Sequence, residues 1–181
     1  ENRFIFVGQL IERKGIELLL DFFKNYIKCG GSWELIIIGG NYNSFRKISL
    51  KTKSQLNKIK YYPFMQPNEI ANEMLKSKAF ILPSLQDNWG TVLCEAASAG
   101  CFLISSEQSG STADLIKNGI NGFTFNSKLK KSSKVLKELM LKTEILSKNK
   151  NFNKRSKISK DIAFTFNSLS YKLAVESMLI N

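Results

Sequence analysis

The chain has 181 residues, 43% of them hydrophobic, and reads as one soluble globular domain with a sizeable core. No apolar run approaches the ~20 residues of a membrane span, and histidine is absent, which excludes a Ser-His-Asp triad and histidine metal sites in this segment. The formal charge of +12 is uneven, because residues 128–160 hold twelve Lys/Arg against Glu138 and Glu144.

In chain order, Phe4-Ile5-Phe6-Val7 is an apolar run closed by Gly8 and predicts a buried strand. Gln9 to Gly15 is a polar loop. Ile16, Leu19, Leu20, Phe23 and Ile27 recur at helical spacing, so a helix is expected over 16–27, ended by Gly30-Gly31. Leu35-Ile36-Ile37-Ile38 predicts a second strand, closed by Gly39-Gly40. Residues 41–58 are polar, with a short helix expected near their end. Ile59-Lys60-Tyr61-Tyr62 suits a short third strand, and a helix follows from Asn68 to Ser77 with Ile70, Met74 and Leu75 facing inward.

Ala79-Phe80-Ile81-Leu82 predicts a fourth strand. The stretch after it, Pro83 to Ala97, organises the rest. It is an open polar loop with Asp87, Asn88 and Gly90, followed by a helix starting near Thr91 with Val92, Leu93, Ala96 and Ala97 as apolar positions. A helix N-terminus offers N–H groups without internal partners, a natural cradle for anions. Two carboxylates flank it, Asp87 in the loop and Glu95 one turn in, ready to accept hydrogen bonds from hydroxyls. Phosphate at the N–H groups and hydroxyls at the acids suit a sugar nucleotide.

Gly100 stops that helix, and Cys101-Phe102-Leu103-Ile104 predicts a fifth strand. A short helix is expected from Ser111, whose hydroxyl is available to cap it. Phe123-Thr124-Phe125 suits a sixth strand. Alternating helices and unbroken apolar strands imply a parallel sheet covered on both faces. The tail changes character: Val135, Leu136, Leu139, Met140 and Leu146 mark one amphipathic helix, and Ile158, Ile162, Phe166, Leu169 and Leu173 mark another. Its basic residues form a solvated helical face, a surface for an anionic membrane, or a nucleic-acid contact. Cys29, Cys94 and Cys101 lack metal-type spacing and read as free buried thiols of a reducing cytosol.

The stretch Asp87-Asn88-Trp89-Gly90 to Glu95, preceded by Leu82-Pro83-Ser84 and followed by Ala96-Ala97-Ser98-Ala99-Gly100, resembles the acidic signature of retaining glycosyltransferases with the GT-B fold, glycosyltransferase family 4. That signature is an acid, seven residues, then Glu. Here the first acid is Asp, one methylene shorter than the usual Glu. Arg13-Lys14-Gly15 resembles the family's Lys-Gly element. The position after the strand-one glycine, commonly Arg, is Gln9, which donates hydrogen bonds without charge.

The resemblance implies an α/β, Rossmann-like three-layer domain with a parallel sheet, the C-terminal half of a GT-B fold, carrying a core over 4–126 and a helical tail over 128–181. An N-terminal acceptor domain would be absent, and the start at Glu1, without Met or a signal-peptide pattern, is expected of an excised cytoplasmic fragment. The implied function is retaining transfer of a hexose from a nucleoside diphosphate sugar to a glycan or glycolipid, as in polysaccharide biosynthesis. By resemblance, Asp87 binds hydroxyls of the transferred sugar, Glu95 the ribose hydroxyls, and Lys14 and Arg13 the diphosphate. Gly90, Thr91 and Val92 offer main-chain N–H groups, with Asn88 and Trp89 beside them, Gln9 and Gly39 near the phosphates, and Met65 at the base. No metal or cofactor is implied, the donor being a substrate. The competing reading is a Rossmann-like nucleotide-binding or scaffolding module without catalysis, left open by Gln9 and Asp87.

Overall fold

A computed structural model describes residues 1–52, 56–129 and 131–179. Among these residues six strands form one parallel sheet: β1 (Arg3–Val7), β2 (Glu34–Ile38), β3 (Ile59–Tyr62), β4 (Ala79–Leu82), β5 (Phe102–Ser106) and β6 (Gly122–Phe125). Their order is β3-β2-β1-β4-β5-β6. The chain therefore winds outward from β1 to β3, then crosses back to lay β4 against the other side of β1. This Rossmann-like order has its switch point between β1 and β4, where the loops leaving the two strands diverge and open a crevice.

Among the described residues seven α-helices cover the sheet: α1 (Ile16–Lys28), α2 (Tyr42–Thr52), α3 (Pro67–Lys76), α4 (Thr91–Ser98), α5 (Thr112–Leu115), α6 (Ser132–Ser147) and α7 (Phe152–Leu179). Strand side chains alternate between the faces. Phe4 and Phe6 of β1, with Leu35, Ile37, Ile81 and Ile104, meet α1, α2 and α6. Ile5, with Ile36, Ile38, Phe80, Leu82 and Leu103, meets α3, α4, α5 and α7. The unbroken apolar strands of the sequence are thus explained by helices on both sides.

Several expectations change. The polar 41–58 stretch does end in a short helix, a 3-10 turn over Leu56–Lys58, but it also opens with a longer one, α2, begun where the Asn41 side chain accepts from the Ser44 amide at 2.9 Å. Leu75 is exposed, since α3 turns it to an open groove described below. Val135 is exposed too: α6 gives Leu136 and Met140 to the core, and its neighbour lies a hundred degrees round the helix. The Ser111 hydroxyl does not cap α5 but donates to the Gly90 carbonyl at 3.3 Å. Of the three cysteines Cys101 is buried and Cys94 half-buried, whereas Cys29, just past the last turn of α1, is exposed. Burial pushes the Cys101 thiol up to about 12. The side chains of Leu169 and Leu173 lie outside the described residues.

Candidate functional site

At the β1–β4 switch point two loops dock against each other. The loop after β1 forms one 3-10 turn over Glu12–Lys14 and ends at Gly15, whose left-handed backbone (φ 70°) redirects the chain into α1. A Cβ on Gly15 would stand 2.0 Å from the Pro83 carbonyl oxygen, so this close approach requires glycine. The Arg13 carbonyl accepts from the amides of Leu85 at 2.8 Å and Gln86 at 3.2 Å. Lys14 Nζ then donates to Asp87 Oδ2 at 2.5 Å, with both side chains largely buried.

The acidic loop is gripped from its other flank as well. The Asp87 amide donates to the Gln108 carbonyl, and the Asp87 carbonyl accepts from the Gly110 amide. The Ser111 amide bonds the Trp89 carbonyl at 3.0 Å. A Cβ on Gly110 would lie 2.2 Å from the Asn88 carbonyl oxygen. Deeper in, the Ser127 hydroxyl donates to the Ser84 carbonyl at 2.8 Å and meets Gln108 Oε1. Residues 83–90 are therefore bound on both sides, and Asp87 is held by its main chain whatever its carboxylate does.

Gly90, in the left-handed region at φ 72°, is the N-cap of α4. The amides of Thr91 and Val92 open the helix and have no intrahelical acceptor, so the positive end of α4 faces the crevice. Glu95 is exposed one turn on, and its carboxylate has no hydrogen-bond or ionic partner among the described residues. Thr91 and Glu95 line a groove of about 810 Å³ that runs on to Pro67 and Ile70 in the first turns of α3. Trp89 stands at its rim, stacked on Phe166 of α7 with ring centroids 5.3 Å apart.

The remaining candidates are placed as follows. Arg13 and Gln9 are exposed, and an Arg13 guanidinium nitrogen lies 3.4 Å from Gln9 Oε1, so the cation and the neutral residue share one corner. Asn88 is exposed on the acidic loop, and Val92 packs partly against the core under α4. Met65 is half-buried just before α3 and also touches that core. Gly39 sits where a Cβ would meet the Gly8 carbonyl oxygen at 2.2 Å, so chain packing already accounts for this glycine. The Ser109-Gly110-Ser111-Thr112 loop, which from sequence either faces the ligand or caps a helix, instead clamps the acidic loop. Its signal was a glycine between two serines, a composition that suits close backbone contact.

Residues 1–159 match the model of the family described as glycosyl transferases group 1. The chain belongs to the group 1 glycosyltransferases. The lipopolysaccharide 1,6-galactosyltransferase of Salmonella typhimurium is 29% identical over 122 residues, 66% of this chain and 34% of that protein. The amylovoran biosynthesis glycosyltransferase AmsK of Erwinia amylovora is 28% identical over 128 residues, 67% of this chain and 31% of that one. This group 1 glycosyltransferase chain thus spans about a third of these relatives.

Its fold is shared with the pneumococcal O-GlcNAc transferase GtfA, solved with UDP and GlcNAc. The TM-score is 0.78 at 19% identity, over 99% of this chain and 36% of that one. It is also shared with the C-terminal domain of the group 1 glycosyltransferase LpcC of Francisella tularensis, TM-score 0.73 at 20% identity, over 90% of this chain and 85% of that one. The architecture is that of a GT-B glycosyltransferase domain.

Proposed function

We propose that this chain is the donor-binding half of a retaining GT-B enzyme, taking a hexose from a nucleoside diphosphate sugar to a glycan or glycolipid acceptor held by a second, N-terminal domain. The observation that carries this reading is the Lys14–Asp87 pair, set at the switch point beside the free N-terminus of α4. The diphosphate lies across the Thr91 and Val92 amides with Lys14 on its far side. As the glycosidic bond breaks, charge accumulates on the leaving diphosphate, and fixed positive groups there lower the barrier. Glu95 accepts from the ribose hydroxyls. The base lies along the segment before α3, near Met65. Asp87 accepts from hydroxyls of the transferred sugar. The helix N-terminus and the basic side chains fill the place a metal ion takes elsewhere, and UDP in a solved relative of the fold supports a uridine donor.

We assign the domain to the cytoplasm. Lys134 on α6 and Lys131 and Lys148 at its two caps are exposed with Ile145 among them, a face suited to an anionic membrane bearing a lipid-linked acceptor. Among the described residues no helix is long and apolar enough to cross one.

The test is a thermal-shift screen with UDP, GDP, ADP and their hexose conjugates. One nucleoside diphosphate series should raise the melting temperature, the stabilisation growing as ln(1 + [L]/Kd), while the 181-residue chain alone turns over little or nothing. No shift with any of them would sink the reading. A scaffolding module would bind nucleotide, yet fail to support transfer when supplied with the acceptor domain. The stereochemistry is read from the anomeric configuration of the product in that reconstituted reaction.

A further inference from the structure

We infer that Asp87 is the residue by which this site tells a sugar-bearing nucleoside diphosphate from the bare one, by competing with the diphosphate for the ammonium of Lys14. The inference rests on the donor-binding reading above and adds selectivity to it.

The Asp87 carboxylate and the Lys14 ammonium are in direct contact, and the two side chains retain only 9% and 15% of their exposure. At that depth their mutual attraction is little screened by water. A diphosphate reaching Lys14 therefore meets a neutralised pair rather than a free cation. Its negative charge also approaches a carboxylate that can move only within one side chain's reach, because the Asp87 amide and carbonyl are bonded to Gln108 and Gly110. The repulsion between two like charges a few ångströms apart at such a depth is worth at least a tenfold change in affinity. Aspartate is short, so its carboxylate stays close to its anchored main chain and to Lys14.

A sugar on the diphosphate changes the balance. Its hydroxyls donate to the Asp87 carboxylate, whose other oxygen, Oδ1, makes no protein hydrogen bond among the described residues. Donated hydroxyl protons spread the carboxylate charge and weaken its hold on Lys14, which then turns its remaining protons to the phosphates. The intact donor is bound by a cation released to it, and the spent nucleoside diphosphate by a pair that has closed again. The same contact thus favours donor entry over product retention.

The experiment is calorimetric titration of the 181-residue chain and of Asp87→Asn with UDP, GDP and ADP, each beside a conjugate: UDP-glucose, UDP-N-acetylglucosamine, GDP-mannose and ADP-glucose. For the series the native chain binds, Asp87→Asn should bind the bare nucleoside diphosphate at least fivefold more tightly and the conjugate no more tightly than before. The preference for the conjugate then falls by fivefold or more. In a Lys14→Ala background the gain for the bare nucleotide should shrink, because there is no ammonium left to compete for. A purely structural role for Asp87 would weaken both ligands together, and that result overturns the inference. Unchanged affinity for the bare nucleotide overturns it as well. If Asp87→Asn does not fold, Asp87→Ser keeps the main-chain bonds and carries the same expectation. A native chain that binds none of the seven ligands refutes the donor-binding reading itself, and this inference with it. Binding by the native chain with no change in the variant refutes the inference alone.

Discussion

Lys14 and Asp87 are 73 residues apart in the chain and 2.5 Å apart in space, nitrogen to carboxylate oxygen. The contact ties the loop that leaves β1 to the loop that leaves β4. It lies between the extremes of an exposed pair, worth up to ~1 kcal/mol, and a fully buried one, where loss of one partner costs about 3–5 kcal/mol. Lys14→Met should destabilise the chain by about 1–3 kcal/mol in urea denaturation, and the Lys14→Met/Asp87→Asn double variant should cost less than the sum of the two single changes.

Glycine at position 15 is demanded twice, by its left-handed backbone and by the Pro83 carbonyl oxygen a Cβ would strike at 2.0 Å. Gly30 has the same kind of backbone, φ 89°, but nothing within 4 Å of its would-be Cβ. Gly30→Ala should therefore cost about 1–2 kcal/mol of backbone strain alone. Gly15→Ala should cost clearly more and should weaken nucleotide binding too, because the loop bearing Lys14 must shift. Paired denaturation and thermal-shift curves compare them.

Glu95 is exposed and unpartnered among the described residues, so its removal should leave the fold nearly untouched. Glu95 lies one turn into α4, beyond the first turn in which the helix dipole favours a carboxylate by about 0.3–1 kcal/mol, so Glu95→Gln should cost less than that. Its affinity for a nucleoside diphosphate should drop about tenfold, as for a lost charge-assisted hydrogen bond. The 2′-deoxy nucleotide should show a deficit against the native chain and a much smaller one against Glu95→Gln. Calorimetry with both nucleotides decides it.

Away from the site, Glu144 of α6 accepts from the Tyr26 hydroxyl, the Ser32 hydroxyl and the Ser32 amide. Burial pushes the Glu144 carboxyl up, but the bonds from Ser32 and Tyr26 outweigh it and hold it below its ordinary value. Burial pushes the Tyr26 hydroxyl up, and its bond to Glu144 adds to that. A carboxylate depressed in the folded state adds stability that is full above its unfolded pKa and is lost as pH falls through the folded one. Glu144→Gln should cost about 1–3 kcal/mol at neutral pH. Between about pH 5 and 3, around the unfolded glutamate value, it should lose less further stability than the native chain does. Urea midpoints against pH show it.

The basic face of α6 gives a further expectation. The native chain should co-sediment with vesicles containing phosphatidylglycerol and not with phosphatidylcholine alone, and the binding should weaken steeply with salt. Replacing Lys131, Lys134 and Lys148 with glutamate should abolish it. Unchanged binding would leave α6 an ordinary solvated face.

Much of the architecture was legible because each strand is an unbroken apolar run and each run ends in glycine or a polar cluster. The order of the strands carried no such mark. It emerges from which faces pack, and the crossover from β3 to β4 is a property of the sheet as a whole. Asp87, Glu95 and Lys14 could be singled out by residue type and setting. The pairing of Lys14 with Asp87 could not, because a contact across 73 residues depends on two loops docking. The helix at 42–52 was not legible because its sequence is polar and its start depends on Asn41 acting as a cap, whereas the short turn at the end of the same stretch was. Leu75 and Val135 fit a helical stripe, but the stripe is wider than the strip of helix the core covers.

Trp89 and Trp33 are the two tryptophans of the chain, and their surroundings differ sharply. Trp33 is enclosed beside Phe4, while Trp89 is 40% exposed and rests on Phe166. Intrinsic emission therefore divides into a blue component that reports on the integrity of the interior and a red one that watches the mouth of the crevice. A Trp33→Phe chain would turn the second into a label-free optical gauge of occupancy, sensitive to any ligand that slides beneath the ring or levers α7 away from it.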